Sequence, residues 1–165
     1  MKISTRTEYG IRVLVTLARV EDARCLSLTE IAKREKLPHA YLEQLVGDLR
    51  RAGLVTATRG QTGGYQLARP PAEIAMTDAV RALDGPLLEM PCAGAEDLEH
   101  CDRPQPCSVH EVFQRVYESL SESLGTTSLA EVAATAGGPP YPPEVRRRRA
   151  AAHSITTTQG TARNA

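Results

Sequence analysis

Three cysteines and a histidine crowd one stretch of this chain: Cys92, Cys101 and Cys107 in the spacing C-x8-C-x5-C, with His110 three residues further on. Three thiolates and an imidazole suit zinc or an iron–sulfur cluster. The gaps are wider than the C-x2-C knuckles usual for zinc, which favours a cluster held by a loop. The N-terminus lacks the apolar core of a secretory leader, so a disulfide framework is not the expected use of these thiols. Glu96, Asp97 and Glu99 lie among them and add negative charge, leaving neutralisation of the thiolates to the metal. His100, adjacent to Cys101, is a weaker ligand candidate. Three incidental thiols in an irregular loop would read the same way. Cys25 stands alone between two helical stretches and reads as structural.

The elements that must position this group are mostly helical. In 165 residues, 41% are hydrophobic, 4% are aromatic and there is no Trp, a composition for Leu/Val/Ala-packed helices rather than a β-sandwich. No apolar run reaches the roughly 18 residues of a membrane span, and the expected location is the cytoplasm. Net charge is zero, but residues 1–69 carry a net +5, residues 70–143 a net −9 and residues 144–165 a net +4. A basic front joined to an acidic middle fits a polyanion-binding surface beside a separate module, although solvated charged faces give the same arithmetic.

Periodicity predicts a helix over residues 5–20, with Tyr9, Val13, Thr16, Leu17 and Val20 on one side. Ser27 and Glu30 form a capping box for a short helix ending near Lys36. Leu37-Pro38 then opens a third helix, which carries Leu42, Leu45, Val46 and Leu49 on one side and stops at Gly53. Two β-capable runs, Val55–Arg59 and Tyr65–Leu67, flank a glycine-rich turn. Thr77 is placed as the cap of a helix to Asp84. Ser108 and Glu111 form a second box opening a helix to about Leu124, whose stripe is Val109, Val112, Phe113, Val116 and Leu120. Ser128 and Glu131 form a third. From Gly137 the chain is Gly/Pro-rich, then Arg146–Arg149, and disorder is expected there. Three helices followed by a glycine hairpin is the layout of a winged helix–turn–helix.

A 100° step along the third helix sets Ala40, Gln44, Gly47 and Arg51 opposite the apolar side, with Glu43 at the edge. A helix that reads a major groove needs such a face. Gln44 can pair with adenine, Glu43 can accept from cytosine, and Gly47 permits close approach. Arg50 and Arg51 suit phosphates, as do Lys2 and Arg6. Arg59, with Gly60 beside it, sits where a wing enters a minor groove; Tyr41 adjoins the reading face. A helical bundle with a polar outer face is the plainer reading of this pattern.

The stretches MKISTRTEYGIRVLVTLA, AYLEQLVGDLRRAGLV, RGQTGGYQLARPP and AVRALDGPL occur in this order. They resemble the Rrf-type bacterial winged-helix regulators, with IscR, NsrR and CymR branches, over roughly residues 1–135. The resemblance implies a homodimeric transcription factor reading a two-fold symmetric operator on double-stranded DNA. It implies base contacts from Glu43, Gln44 and position 40, where this chain has Ala and the IscR branch often a hydroxyl, with Arg59 in the minor groove. It assigns subunit pairing to residues 108–124. It makes Cys92, Cys101 and Cys107 ligands of an iron–sulfur cluster, 2Fe–2S favoured over 4Fe–4S. His110 matches the fourth ligand of the IscR branch, and Glu8 from the partner subunit's first helix matches that of NsrR-like branches.

The expected organisation is a DNA-binding domain over 1–84, a cluster loop over 85–107, a dimerisation helix and short final helix over 108–136, and a tail over 137–165. The expected function is control of operator binding, as a repressor of genes for cluster biogenesis, by cluster status, redox poise or nitric oxide. A cluster-free, CymR-like repressor of sulfur metabolism acting with a partner protein is the alternative. A metal carrier or redox protein is more distant. No phosphate-binding glycine loop or nucleophile–base pair suggests an enzyme.

Overall fold

The computed structural model describes residues 4–20, 24–60, 63–88 and 107–135. Lys2, Cys92, His100, Cys101, most of the cysteine loop and the tail from Gly137 lie outside these. The elements run α1 (Thr5–Ala18), α2 (Leu28–Glu35), α3 (His39–Arg51), β1 (Val55–Thr58), β2 (Gly64–Leu67), a 3-10 turn (Pro71–Glu73), α4 (Met76–Asp84), α5 (Ser108–Thr126) and α6 (Leu129–Thr135). This is the winged-helix arrangement the sequence predicts, with helices packed around one apolar core and a two-stranded antiparallel sheet at its flank.

The core takes one face from each of the first four helices. Val13, Leu14 and Leu17 of α1 meet Ile31 of α2, Leu42, Leu45, Val46 and Leu49 of α3, and Ala79 and Leu83 of α4. Each fully buried aliphatic side chain contributes about 1.5–3 kcal/mol. Gly10 is what lets α1 and α4 approach so closely, since a Cβ there would lie 2.3 Å from Leu83 Cδ1.

Local chemistry sets the helix ends. Ser27 accepts from Glu30 N while Glu30 Oε2 accepts from Ser27 N at 2.8 Å, the reciprocal box expected for α2. The bond from the Ser27 backbone first, and a second one donated by its hydroxyl to Glu30 Oε2 at 2.8 Å, hold the Glu30 carboxyl below its usual value. Ser128 and Glu131 repeat the device at α6. Two expected caps differ. Thr77 is buried inside the first turn of α4, whose N-cap is Ala75. That entry is held by backbone pairing, Met76 N to Thr127 O at 3.0 Å and Leu129 N to Ile74 O at 2.8 Å, so no side-chain cap is needed. Ser108 is the first helical residue of α5, Cys107 takes the N-cap without a side-chain capping bond, and the helix runs on to Thr126. Pro38 likewise precedes α3 as its N-cap.

β1 and β2 pair in register from Val55 with Leu67 to Thr58 with Gly64. The turn closes through Gly63 N to Gly60 O at 3.0 Å, with Gly60 at φ 122°, a conformation that favours glycine. Leu26 adds a short third edge, bonded both ways to Tyr65 at 2.8 and 2.9 Å. The wing is thereby tied to the segment entering α2.

Candidate nucleic-acid interface

α3 has two unlike sides. Leu42, Leu45, Val46 and Leu49 are buried, whereas Ala40, Glu43, Gln44, Arg50 and Arg51 are exposed and Gly47 is half-buried with open space around its Cα. The face proposed for base reading is therefore bare, while the other side anchors the helix. His39 Nδ1 lies 3.6 Å from Glu43 Oε1, one turn away; both side chains are exposed, so this pair contributes little to stability and leaves Glu43 accessible. Arg59 and Gly60 are exposed where β1 leaves the sheet.

Three of the expected DNA residues have partners within the chain: Tyr41, Arg6 and Arg51. Tyr41 is half-buried and packs edge-on to Tyr9, ring centroids 6.1 Å apart, with the Arg12 guanidinium 5.5 Å from the Tyr9 ring on the same cluster. Arg12 in turn bonds Glu35 Oε2 at 2.8 Å and the Glu35 carbonyl at 3.0 Å. Tyr41 thus joins α3 to α1 and, through Arg12, to the end of α2. Arg6 and Arg51 converge from α1 and α3 on the Asp48 carboxylate. Asp48 had no role in the sequence reading. The available signal was an acid three residues before an arginine on the helix; that Arg6 would join it depended on the crossing of α1 and α3.

Cys107 at the N-cap of α5 and His110 one turn inside it are both half-buried. A spacing of three on a helix puts two side chains on one flank, so this half of the donor set fits a shared metal group. Cys92 and Cys101 lie outside the described residues, and among the described residues no three His, Cys, Asp or Glu side chains gather as a metal site. Glu8 is half-buried in the first turn of α1. Cys25 is half-buried and donates to Gln66 Oε1 at 3.4 Å, tying the Leu26 edge to β2, in keeping with a structural thiol.

Among the described residues, no helix is long and apolar enough to cross a membrane. The model of the Rrf2 family, described as iron-dependent transcriptional regulators, matches residues 3–135. The chain is 38% identical over 138 residues to the HTH-type transcriptional regulator CymR of Bacillus subtilis, covering 84% of this chain and 94% of CymR. It is 34% identical over 136 residues to the protein rrf2 of Nitratidesulfovibrio vulgaris, covering 82% and 89%. Among solved structures, CymR of B. subtilis, titled its global cysteine regulator, superposes with a TM-score of 0.65 at 36% identity over 81% of this chain and 97% of that one. IscR of T. potens superposes with the same score at 34% identity, over 82% and 88%. Matched by the family model over residues 3–135 and by relatives along most of their length, this chain belongs to the Rrf2 family of transcriptional regulators.

Proposed function

We propose that the protein is a homodimer that reads a two-fold symmetric DNA operator and adjusts its grip through an iron–sulfur cluster. The observation that carries the DNA reading is the two-sidedness of α3. One side is locked into the core, the other presents Ala40, Glu43 and Gln44 to a groove, with Arg50 and Arg51 beside them for phosphates and Arg59 on the wing. Gln44 and Glu43 are assigned base reading, Gly47 close approach, and Gly60 the bend that projects the wing. Lys2 is assigned a backbone contact. Tyr41 supports α3 from behind.

Cys92, Cys101, Cys107 and His110 are the residues assigned to hold the cluster, with Glu8 of the partner subunit as the competing fourth ligand. When bound, a cluster supplies a change of charge, or its own loss, in response to redox poise or nitric oxide. Cys107 and His110 start α5, and α5 packs on α4 of the DNA-binding core, with Arg81 bonding Tyr117 at 3.1 Å. Displacing the first turn of α5 therefore shifts a helix in contact with the reading unit. A tenfold change in operator affinity requires only about 1.4 kcal/mol of difference between two such arrangements.

The likeness to CymR favours a second reading, a cluster-free repressor of sulfur metabolism controlled by a partner protein. An anaerobic visible spectrum with iron and acid-labile sulfide counted per chain separates the two. Coloured protein with matched iron and sulfide is expected. Colourless protein that stays so after reconstitution would leave the CymR-like reading in its place. Gln44→Ala, in the same preparation, is expected to weaken operator binding by roughly 1–3 kcal/mol with iron content unchanged, which a metal carrier would not do.

A further inference from the structure

Asp48 is the one charged residue among the buried side chains of the described core, 8% exposed on a helix whose outer face is otherwise presented to solvent. Two cations reach it from different elements. Arg51 comes from one turn along α3 and Arg6 from the first turn of α1, and their guanidiniums take the two carboxylate oxygens separately, Oδ1 and Oδ2. Their own side chains are not buried with it, being 77% and 39% exposed.

An acid of this kind has two conceivable effects on a DNA-binding face. As a bare counter-charge it would cancel one arginine and repel phosphate. As a bridge it would hold two guanidiniums in one place. A guanidinium offers five N–H donors in a rigid fork, and one carboxylate oxygen engages only part of each fork. The trio has a net charge of +1, equal and opposite to a single phosphodiester. Its arginines come from the first turn of α1 and the last turn of α3, where the exposed Arg50 is the sequence neighbour of Arg51.

Resting on the DNA-binding reading above, we propose that Arg6, Asp48 and Arg51 form a phosphate clamp. Arg6 Nε is buried, so the outer guanidinium N–H donors of Arg6 and those of Arg51 grip one and the same DNA phosphate, and Asp48 is the positioning residue that sets them for it. Without the carboxylate, the two cations repel and disperse into solvent, and the ordering cost falls on the binding step.

The two effects predict opposite signs for Asp48→Asn, which keeps the shape and removes the charge. Binding of the full chain to a fluorescein-labelled random-sequence duplex, followed by anisotropy across a salt series, reads both affinity and the slope of log K against log salt. Each phosphate neutralised contributes about 0.9 to that slope. The clamp predicts that Asp48→Asn binds about tenfold more weakly with a slope lower by about 0.9, despite its added positive charge. Tighter binding with a steeper slope, or no change, overturns the proposal.

Arg6→Gln and Arg51→Gln keep the test alive if Asp48→Asn does not fold. Each single variant is expected to lower the slope by about 0.9, and the double variant by the same amount because one phosphate is shared. A drop of about 1.8 in the double variant would mean two separate phosphates and no clamp. A wild-type chain that binds no duplex at any salt would sink the DNA-binding reading and the clamp together, whereas additive or inverted variants on a binding wild type sink the clamp alone.

Discussion

α3 and α5 are both amphipathic helices, yet among the described residues only α3 has its apolar stripe buried. α3 buries Leu42, Leu45, Val46, Asp48 and Leu49 among its 13 residues. α5 has 19 residues and buries none of them, leaving Val109, Val112 and Val116 exposed at 47%, 49% and 40%. The apolar stripe of α3 is closed by α1, α2 and α4, so its free side is polar and available to a ligand. α5 packs on α4, with Tyr117 accepting from Arg81 and Leu124 against the core, but among the described residues its three valines stay exposed. Comparable sequence patterns thus do different work according to what the fold places opposite them.

The sharpest test of that contrast is truncation on each helix. Leu45→Ala is expected to lower the stability of the folded chain by about 2–5 kcal/mol, read from urea unfolding followed by circular dichroism. Val116→Ala, at protein concentrations low enough to keep chains apart, is expected to change it by no more than about 0.5 kcal/mol. Equal costs for the two would show that α5 is covered within the single chain, and the contrast would collapse.

A charge on the α5 stripe asks what covers it. Val116→Asp places a carboxylate where a second copy of the helix is assigned to pack, and stranding a charge in an apolar interface costs several kcal/mol. The proposed homodimer predicts that, at one concentration, the wild type sediments as a dimer and the variant as a monomer. Operator binding should fall roughly 100-fold, the equivalent of about 2.7 kcal/mol, because two half-sites are no longer read together. A variant that stays dimeric would move the subunit contact elsewhere on the molecule.

Legibility in the sequence followed the same line between local and long-range causes. The capping boxes at Ser27 and Ser128 depend on residues three apart, and both stand in the structure as written. The glycine hairpin and the apolar stripe of α3 are equally local patterns. The box at Ser108 was also local, yet it failed because Cys107, not Ser108, is the last residue outside α5. Thr77 failed for a different reason: the strand-like pairing of Ala75 with Ser128 comes from a segment some fifty residues on. At the candidate site, the exposure of Ala40, Glu43 and Gln44 was legible because an amphipathic helix has only one free side. The partners of Tyr41 and of Arg6 were not, since Tyr9 and Asp48 reach them only across the packing of α1 on α3.

One long-range contact, between Ser4 and Asp84, gives the DNA-binding core a pH dependence. Ser4 caps α1 by accepting from Thr7 N, and it also donates its hydroxyl and its backbone N–H to the two oxygens of Asp84 at the end of α4, the latter at 2.9 Å. Burial by itself would raise the Asp84 carboxyl. The Ser4 hydroxyl and backbone bonds outweigh it, with Thr7 and the charge of Arg6 adding to them, so the group sits below the usual carboxylate value. A carboxyl whose pKa is lower folded than unfolded binds protons more readily in the unfolded chain. The stability it confers is therefore complete above the unfolded value, about 3.9, and is lost as pH falls from there through the folded value. Asp84→Asn is expected to flatten the acid limb of the stability curve below about pH 4 and to leave the subunit association proposed for α5 unchanged at neutral pH. Ser4→Ala should flatten the same limb and, by removing the α1 cap as well, lower stability at pH 7 by about 1 kcal/mol. If the acid limb keeps its slope in both variants while stability at pH 7 still falls, the capping role of Ser4 stands and the linkage through Asp84 does not.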